Sequence, residues 1–260
     1  MDEIKLQPTI IVTGASKGLG AAIASIAAEH GAKVVLTARS EAELALQAKE
    51  IQQNGGTVQS IVGDISRYDD CRRIIDQTLE TYGRIDVLVN NAGTIEPLDP
   101  VSEANHTEWA YHMAVNLLGP MQMCQLAIPY LRQTKGKVIN LTSHAAEVSI
   151  PGASAYGSSK AALNRFSMTL AVEEPDITVI LFIPGEVDSP MQGVIREKGK
   201  GKTSDETYQY FVTLHEQGKL LPPRIPALAA ASLALKAPHE LSGKILQWDD
   251  ERVHKLVKQF

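Results

Sequence analysis

Cysteine is almost missing from this chain. Its 260 residues hold two, Cys71 and Cys124, far apart and without a C-x-x-C partner. That argues against a disulfide framework or a metal site and favours a reducing compartment. No apolar run approaches the length of a membrane span. No lysine or arginine run recruits nucleic acid, and the net charge is -5. The chain starts Met-Asp-Glu and is expected to enter its first strand by Thr9, which leaves no room for a charged and then apolar leader. A cytoplasmic protein with neither a membrane nor a nucleic-acid partner is therefore expected. Repeats, low-complexity tracts and linker-like boundaries are also missing, so one domain should span residues 1–260. With 44% apolar and 21% charged residues, the chain can bury a substantial core.

The most informative stretch runs from Thr9 to Gly20. Strand-forming residues lead into Thr13, glycines follow at Gly14, Gly18 and Gly20, and an Ala-rich amphipathic run continues to His30. Strand, glycine turn and helix together place a pyrophosphate on a helix N-terminus. Gly14 would make the turn, Gly18 would admit the phosphates, and Gly20 would let helix and strand pack closely. No Gly-Lys-Ser/Thr closes the stretch, which argues against a mononucleotide P-loop.

The pattern then repeats. Strands are expected at 33–37, 57–62, 86–89, 137–141, 178–183 and 244–247. Helices are expected at 41–53, 69–82, 106–131, 155–173 and 225–236, with Pro120 bending the long one. Such alternation gives right-handed crossovers and an α/β fold, a single-domain doubly wound parallel sheet of about seven strands with helices on both faces. Residues 186–218 are polar, with Gly199 and Gly201 among lysines, and should form short helices in a mobile substrate-binding flap.

Thr13-Gly14-x-x-x-Gly18-x-Gly20, Asp64, Asn90-Asn91-Ala92-Gly93, Asn116, Ser143, Tyr156-x-x-x-Lys160 and Pro184-Gly185 occur in one chain, in order. Ser143 precedes Tyr156 by thirteen residues and Asn116 precedes Ser143 by twenty-seven. Singly, each has an ordinary structural reading. Together they make the chain resemble the short-chain dehydrogenases/reductases, with their Rossmann fold, over nearly its whole length. Tyr156 and Lys160, at i and i+4, share a helix face, where an ammonium would pull the phenol pKa down. Tyr156 could then give a proton to a carbonyl oxygen, with Ser143 hydrogen-bonding the same oxygen. The resemblance implies that Asn116 holds a water in a proton relay through Lys160.

It further implies cofactor contacts from Gly14, Ser16, Lys17, Gly18, Leu19, Gly20, Arg39, Ser40, Asp64, Ile65, Asn91, Ala92, Gly93, Tyr156, Lys160, Pro184, Gly185, Val187, Ser189 and Met191. Asp64 would meet the adenine and Ser189 the carboxamide. The second strand ends Thr37-Ala38-Arg39-Ser40 without the carboxylate that binds a 2′-hydroxyl in NAD sites. Arg39 and Lys17 are two cations suited to a 2′-phosphate, so NADP(H) is expected.

Ala171-Val-Glu-Glu-Pro175, the segment Pro184–Met191 and Leu246–Arg252 resemble the sepiapterin reductase-like and fungal benzil reductase group. This implies an NADPH-dependent carbonyl reductase acting on an α-diketone. A pterin, 3-oxoacyl or alcohol substrate, or a regulatory NADPH sensor, are the alternatives. Gln247 stands where a pterin-anchoring carboxylate is expected, with Asp249 and Asp250 just beyond. Trp248–Arg252 serves either the substrate or simple packing and an ion pair. Ala145, Glu147, Tyr111, Glu186, Met191 and Val194 are pocket-wall candidates, and His144 is a weaker one. Relatives pair through helices corresponding to 106–131 and 155–173, implying a dimer or tetramer in which Met113, Leu117, Met121 and Leu126 lie at an interface or in the core.

Overall fold

The computed structural model describes residues 7–260. Seven strands form one parallel sheet: β1 (Thr9–Thr13), β2 (Lys33–Ala38), β3 (Thr57–Val62), β4 (Val87–Asn90), β5 (Lys137–Leu141), β6 (Thr178–Ile183) and β7 (Ile245–Gln247). Their order is β3-β2-β1-β4-β5-β6-β7. The chain winds outward from β1 in one direction and from β4 in the other. The crevice between their carboxyl ends is where ligands sit on such sheets. Central strands buried on both faces need unbroken apolar runs, and Ile10, Ile11 and Val12 are fully buried.

Side chains alternate between two helical layers. One holds Val12, Leu36, Val89 and Phe182 against α1 (Gly18–Glu29), α2 (Glu41–Gln53), α9 (Arg224–Lys236) and α10 (Glu251–Val257). The other holds Ile11, Val35, Leu88, Val138 and Val179 against α3 (Tyr68–Tyr82), α5 (Gly119–Thr134) and α6 (Ser154–Glu173). Cys71 and Cys124 belong to the second layer, where burial pushes both thiols up to about 12. They are inert packing residues at neutral pH. Among the described residues no helix is long and apolar enough to cross a membrane.

The expected long helix over 106–131 is two helices, α4 (His106–Met113) and α5, joined by a π-helical turn at Ala114–Leu118. Asn105 caps α4 by accepting from the Thr107 and Glu108 amides at 2.9 and 3.2 Å. Pro120 is the second residue of α5. It comes just after the π turn in a backbone that stays helical from α4 into α5, so its missing N–H falls next to the irregular bonding. Residues 186–218 contain α7 (Pro190–Lys198) and α8 (Asp205–Glu216). Met113, Leu117, Met121 and Leu126 are all half-buried.

Candidate active site

A cleft of about 1860 Å³ opens along the carboxyl ends of β1 to β6. Pockets for drug-sized ligands run to roughly 1,000 Å³, so this one has room for a dinucleotide and a second molecule. Every residue named above for cofactor contact lines it. The glycine turn is built for close approach. Gly14 has φ +65, and a Cβ there would sit 2.8 Å from the Ala92 Cα. At Gly20 a Cβ would run into the Asn91 side chain and the Gly14 carbonyl. Asn91 also has a local task. Its Nδ2 donates to the Thr13 and Gly14 carbonyls at 2.9 and 3.2 Å, tying the end of β4 to the turn.

The two cations are where the sequence puts them, but each already has a partner. Arg39 Nη1 donates to the Tyr111 hydroxyl at 2.5 Å, and Lys17 Nζ lies 3.3 Å from Glu43 Oε1. Glu43 is a carboxylate that inspection of residues 37–40 overlooks. It enters from the first turn of α2, where hydrogen bonds from Ser16 and Lys17 hold its carboxyl below the ordinary range. Ser40 caps that helix by accepting from the Glu43 amide at 3.4 Å. Asp64 Oδ1 accepts from the Ser66 amide at 2.9 Å and hydroxyl at 2.7 Å, which fixes its carboxylate at the cleft wall.

Ser143, Tyr156 and Lys160 converge on the cleft, and Asn116 lies fully buried behind it. Ser143 follows β5 and accepts from the Ala145 amide at 3.2 Å. Tyr156 and Lys160 come from adjacent turns of α6. The electrostatics differ from expectation. Burial holds the Tyr156 phenol above its ordinary range, and a hydrogen bond with the Ser143 side chain, not Lys160, pulls it down. Lys160 Nζ stands 5.7 Å from the centre of the Tyr156 ring and donates to the Leu141 carbonyl at 2.7 Å. Burial penalises its own charge and pushes it down to about 8.

Asn116 is held by backbone: Oδ1 accepts from the Thr94 amide and Nδ2 donates to the Thr94 carbonyl, both at 2.8 Å. Two further buried polar groups, His112 and Ser159, surround it. Neither stands out in the sequence; the available signal was that His112 lies one helical turn before Asn116.

The far end of the cleft is apolar. Ile95, Leu98, Ala153 and Ile195 form a cluster, with Ile150, Tyr156, Met191, Val194 and Phe211 packed on it. α7 and its connection to α8 close over this end through ion pairs, Lys198 to Glu96 and Lys202 to Asp99, both at 2.6 Å. Ala145, Tyr111, Glu186 and Met191 line the main cleft, whereas Val194 packs in the cluster. Glu147, Gln247, Asp249 and Asp250 line a separate cleft of about 320 Å³, with His144 between the two. Asp250 caps α10, accepting from the Arg252 amide at 2.8 Å, and pairs with the Arg252 guanidinium at 2.7 Å. Trp248 is half-buried, packs against the core and stands against Gly185. Trp248, Asp250 and Arg252 thus act in packing, capping and an ion pair.

The family model described as short chain dehydrogenase matches residues 8–200. An uncharacterised oxidoreductase of Saccharomyces cerevisiae is 36% identical over 93% of this chain and 95% of its own length. A benzil reductase of the same yeast, forming (S)-benzoin, is 31% identical over 94% of this chain and 97% of its own. The solved structure of that uncharacterised yeast protein superposes with a TM-score of 0.90 at 34% identity, covering 96% of this chain and 99% of its own. An alcohol dehydrogenase from the archaeon Thermococcus sibiricus, complexed with 5-hydroxy-NADP, gives 0.79 at 28% identity over 93% and 95%. The chain belongs to the short chain dehydrogenase family, oxidoreductases that act on small molecules with a nicotinamide cofactor.

Proposed function

We propose that the protein is an NADPH-dependent carbonyl reductase that converts one carbonyl of a benzil-like α-diketone to a hydroxyl. The observation that carries this reading is the convergence of Ser143, Tyr156 and Lys160 at the junction between the glycine-turn end of the cleft and its apolar end. The glycine cradle fits a dinucleotide, and Lys17 and Arg39 supply positive charge for a 2′-phosphate. Their present partners do not oppose this, since exposed ion pairs are worth little and a phosphate dianion competes well for them. Asp64, Ile65 and Asn91 to Gly93 would hold the adenine and ribose. Pro184, Gly185, Val187, Ser189 and Met191 would hold the carboxamide end.

When bound, the nicotinamide supplies hydride to the carbonyl carbon. Tyr156 gives its phenolic proton to the carbonyl oxygen, and Ser143 donates a hydrogen bond to that oxygen. A phenol kept protonated by burial is ready to donate. Lys160 carries the charge that stabilises the resulting phenolate, and Asn116 orders the water that returns the proton.

The apolar cluster with Phe211 suits an aryl diketone. The C-terminal carboxylates that would anchor a pterin face the other cleft. The yeast benzil reductase supports the substrate class, and the NADP-type ligand in the archaeal relative supports the cofactor. Residues 186–218 act as the substrate flap, and the α4–α5 and α6 faces serve a homodimer or tetramer. The test is NADPH consumption with benzil, with NADH alongside. Turnover with NADPH and little with NADH is expected. Equal rates would refute the cofactor assignment, and no consumption with either would refute the diketone assignment.

A further inference from the structure

His112 is a fully buried histidine outside the expected proton-handling set. Its Nδ1 lies 2.6 Å from the Glu96 carbonyl, which can only accept, so Nδ1 carries the proton. Nε2 is then an unprotonated acceptor. It stands 2.9 Å from Asn116 Nδ2 and 3.0 Å from Ser159 Oγ. A buried histidine satisfied by a carbonyl is ordinary packing. This one also spends its second nitrogen on the amide that the proton relay depends on. The ring lies edge-on to Tyr156, with centroids 6.2 Å apart. Asn116 sits within the π turn, a rare helical form that occurs often at functional sites.

We propose that His112, as the neutral Nδ1–H tautomer, is a positioning residue: its Nε2 accepts from Asn116 Nδ2 and so holds Asn116 in the orientation the proton relay needs. The single Ser159 proton goes to the Tyr156 carbonyl at 2.8 Å, which leaves Asn116 Nδ2 as the donor to Nε2. Burial lowers the proton affinity of the ring and keeps Nε2 an acceptor. The proposal rests on reading Asn116 as part of the relay.

Two variants and a spectrum test it. His112→Leu removes the acceptor, whereas His112→Gln places an amide oxygen close to where Nε2 stands. With benzil and NADPH, kcat should fall roughly tenfold to a hundredfold in His112→Leu, because a buried donor loses its partner. The solvent deuterium isotope effect should rise, NADPH affinity by fluorescence titration should stay unchanged, and His112→Gln should recover most of the loss. Equal kcat in the two variants, or an unmoved isotope effect, would overturn the proposal. The ring-nitrogen NMR spectrum of the cofactor-free protein reads the same claim without turnover. It should show His112 as Nδ1–H, neutral below the pH at which an ordinary histidine titrates, with an Nε2 resonance that moves in Asn116→Ala. An Nε2–H tautomer or an unmoved resonance would overturn the proposal even if benzil is reduced. The expected spectrum upholds the His112–Asn116 hydrogen bond whatever the substrate, and the isotope effect decides its role in the relay.

Discussion

Consider Lys160→Met in the cofactor-free protein. Burial pushes the Lys160 ammonium from 10.5 down to about 8. One pKa unit is worth about 1.4 kcal/mol, so the buried charge weakens the fold by about 3 kcal/mol. The direction follows from proton binding. Below about pH 8 both folded and unfolded chains hold the proton, and the full cost is present. Between about 8 and 10.5 the unfolded chain still holds a proton that the folded chain has released, so wild-type stability rises with pH. Methionine removes the charge and roughly keeps the volume, but leaves the Leu141 carbonyl without its 2.7 Å donor. A buried acceptor without a partner costs about 1–3 kcal/mol. At neutral pH the variant should therefore be as stable as wild type or more stable by up to about 2 kcal/mol. Its turnover with benzil should nevertheless fall by about a hundredfold or more. Urea unfolding followed by the fluorescence of Trp109 and Trp248, at neutral and at strongly alkaline pH, measures this. The reasoning fails if the variant is clearly less stable at neutral pH. It also fails if the difference between the proteins does not shift in favour of wild type as pH rises.

Three further outcomes are expected. Tyr156→Phe keeps the ring in its apolar cluster but removes the proton donor, so turnover should drop by about 10²–10⁴ with NADPH affinity unchanged; activity near wild type would disprove the role. Glu43→Gln takes the competing carboxylate from Lys17 and should lower the KM for NADPH about threefold to tenfold without helping NADH, whereas Arg39→Met should raise it. A Cβ at Gly93 would stand 3.3 Å from Asn116 Oδ1 and 3.9 Å from Lys160 Nζ, filling the space between them. Gly93→Ala should therefore slow the proton-dependent step and raise its solvent isotope effect, with little loss of thermal stability.

The alternation of strands and helices, the glycine turn and the ordered spacing of Asn116, Ser143, Tyr156 and Lys160 were legible in the sequence. Those features are local. Periodicity tells a buried strand from a helix, and a turn that needs φ +65 at Gly14 calls for glycine wherever it occurs. Five features could not be read that way. A π turn interrupts the long helix just before Pro120, Glu43 enters the cleft from α2, and Asp249 and Asp250 face another cleft. His112 is fully buried beside Asn116, and the Tyr156 phenol is raised rather than lowered. Each depends on what distant segments pack against. The i,i+4 spacing puts Tyr156 and Lys160 on one helix face but says nothing of the Leu141 carbonyl that takes the ammonium's hydrogen bond. Side-chain type and spacing are carried by neighbours in the chain, while burial, local dielectric and hydrogen-bond partners arise only when remote elements close over a group. Sequence alone thus determined the fold and which residues stand at its strand ends, and the tertiary structure decided their charges and the partners that hold them.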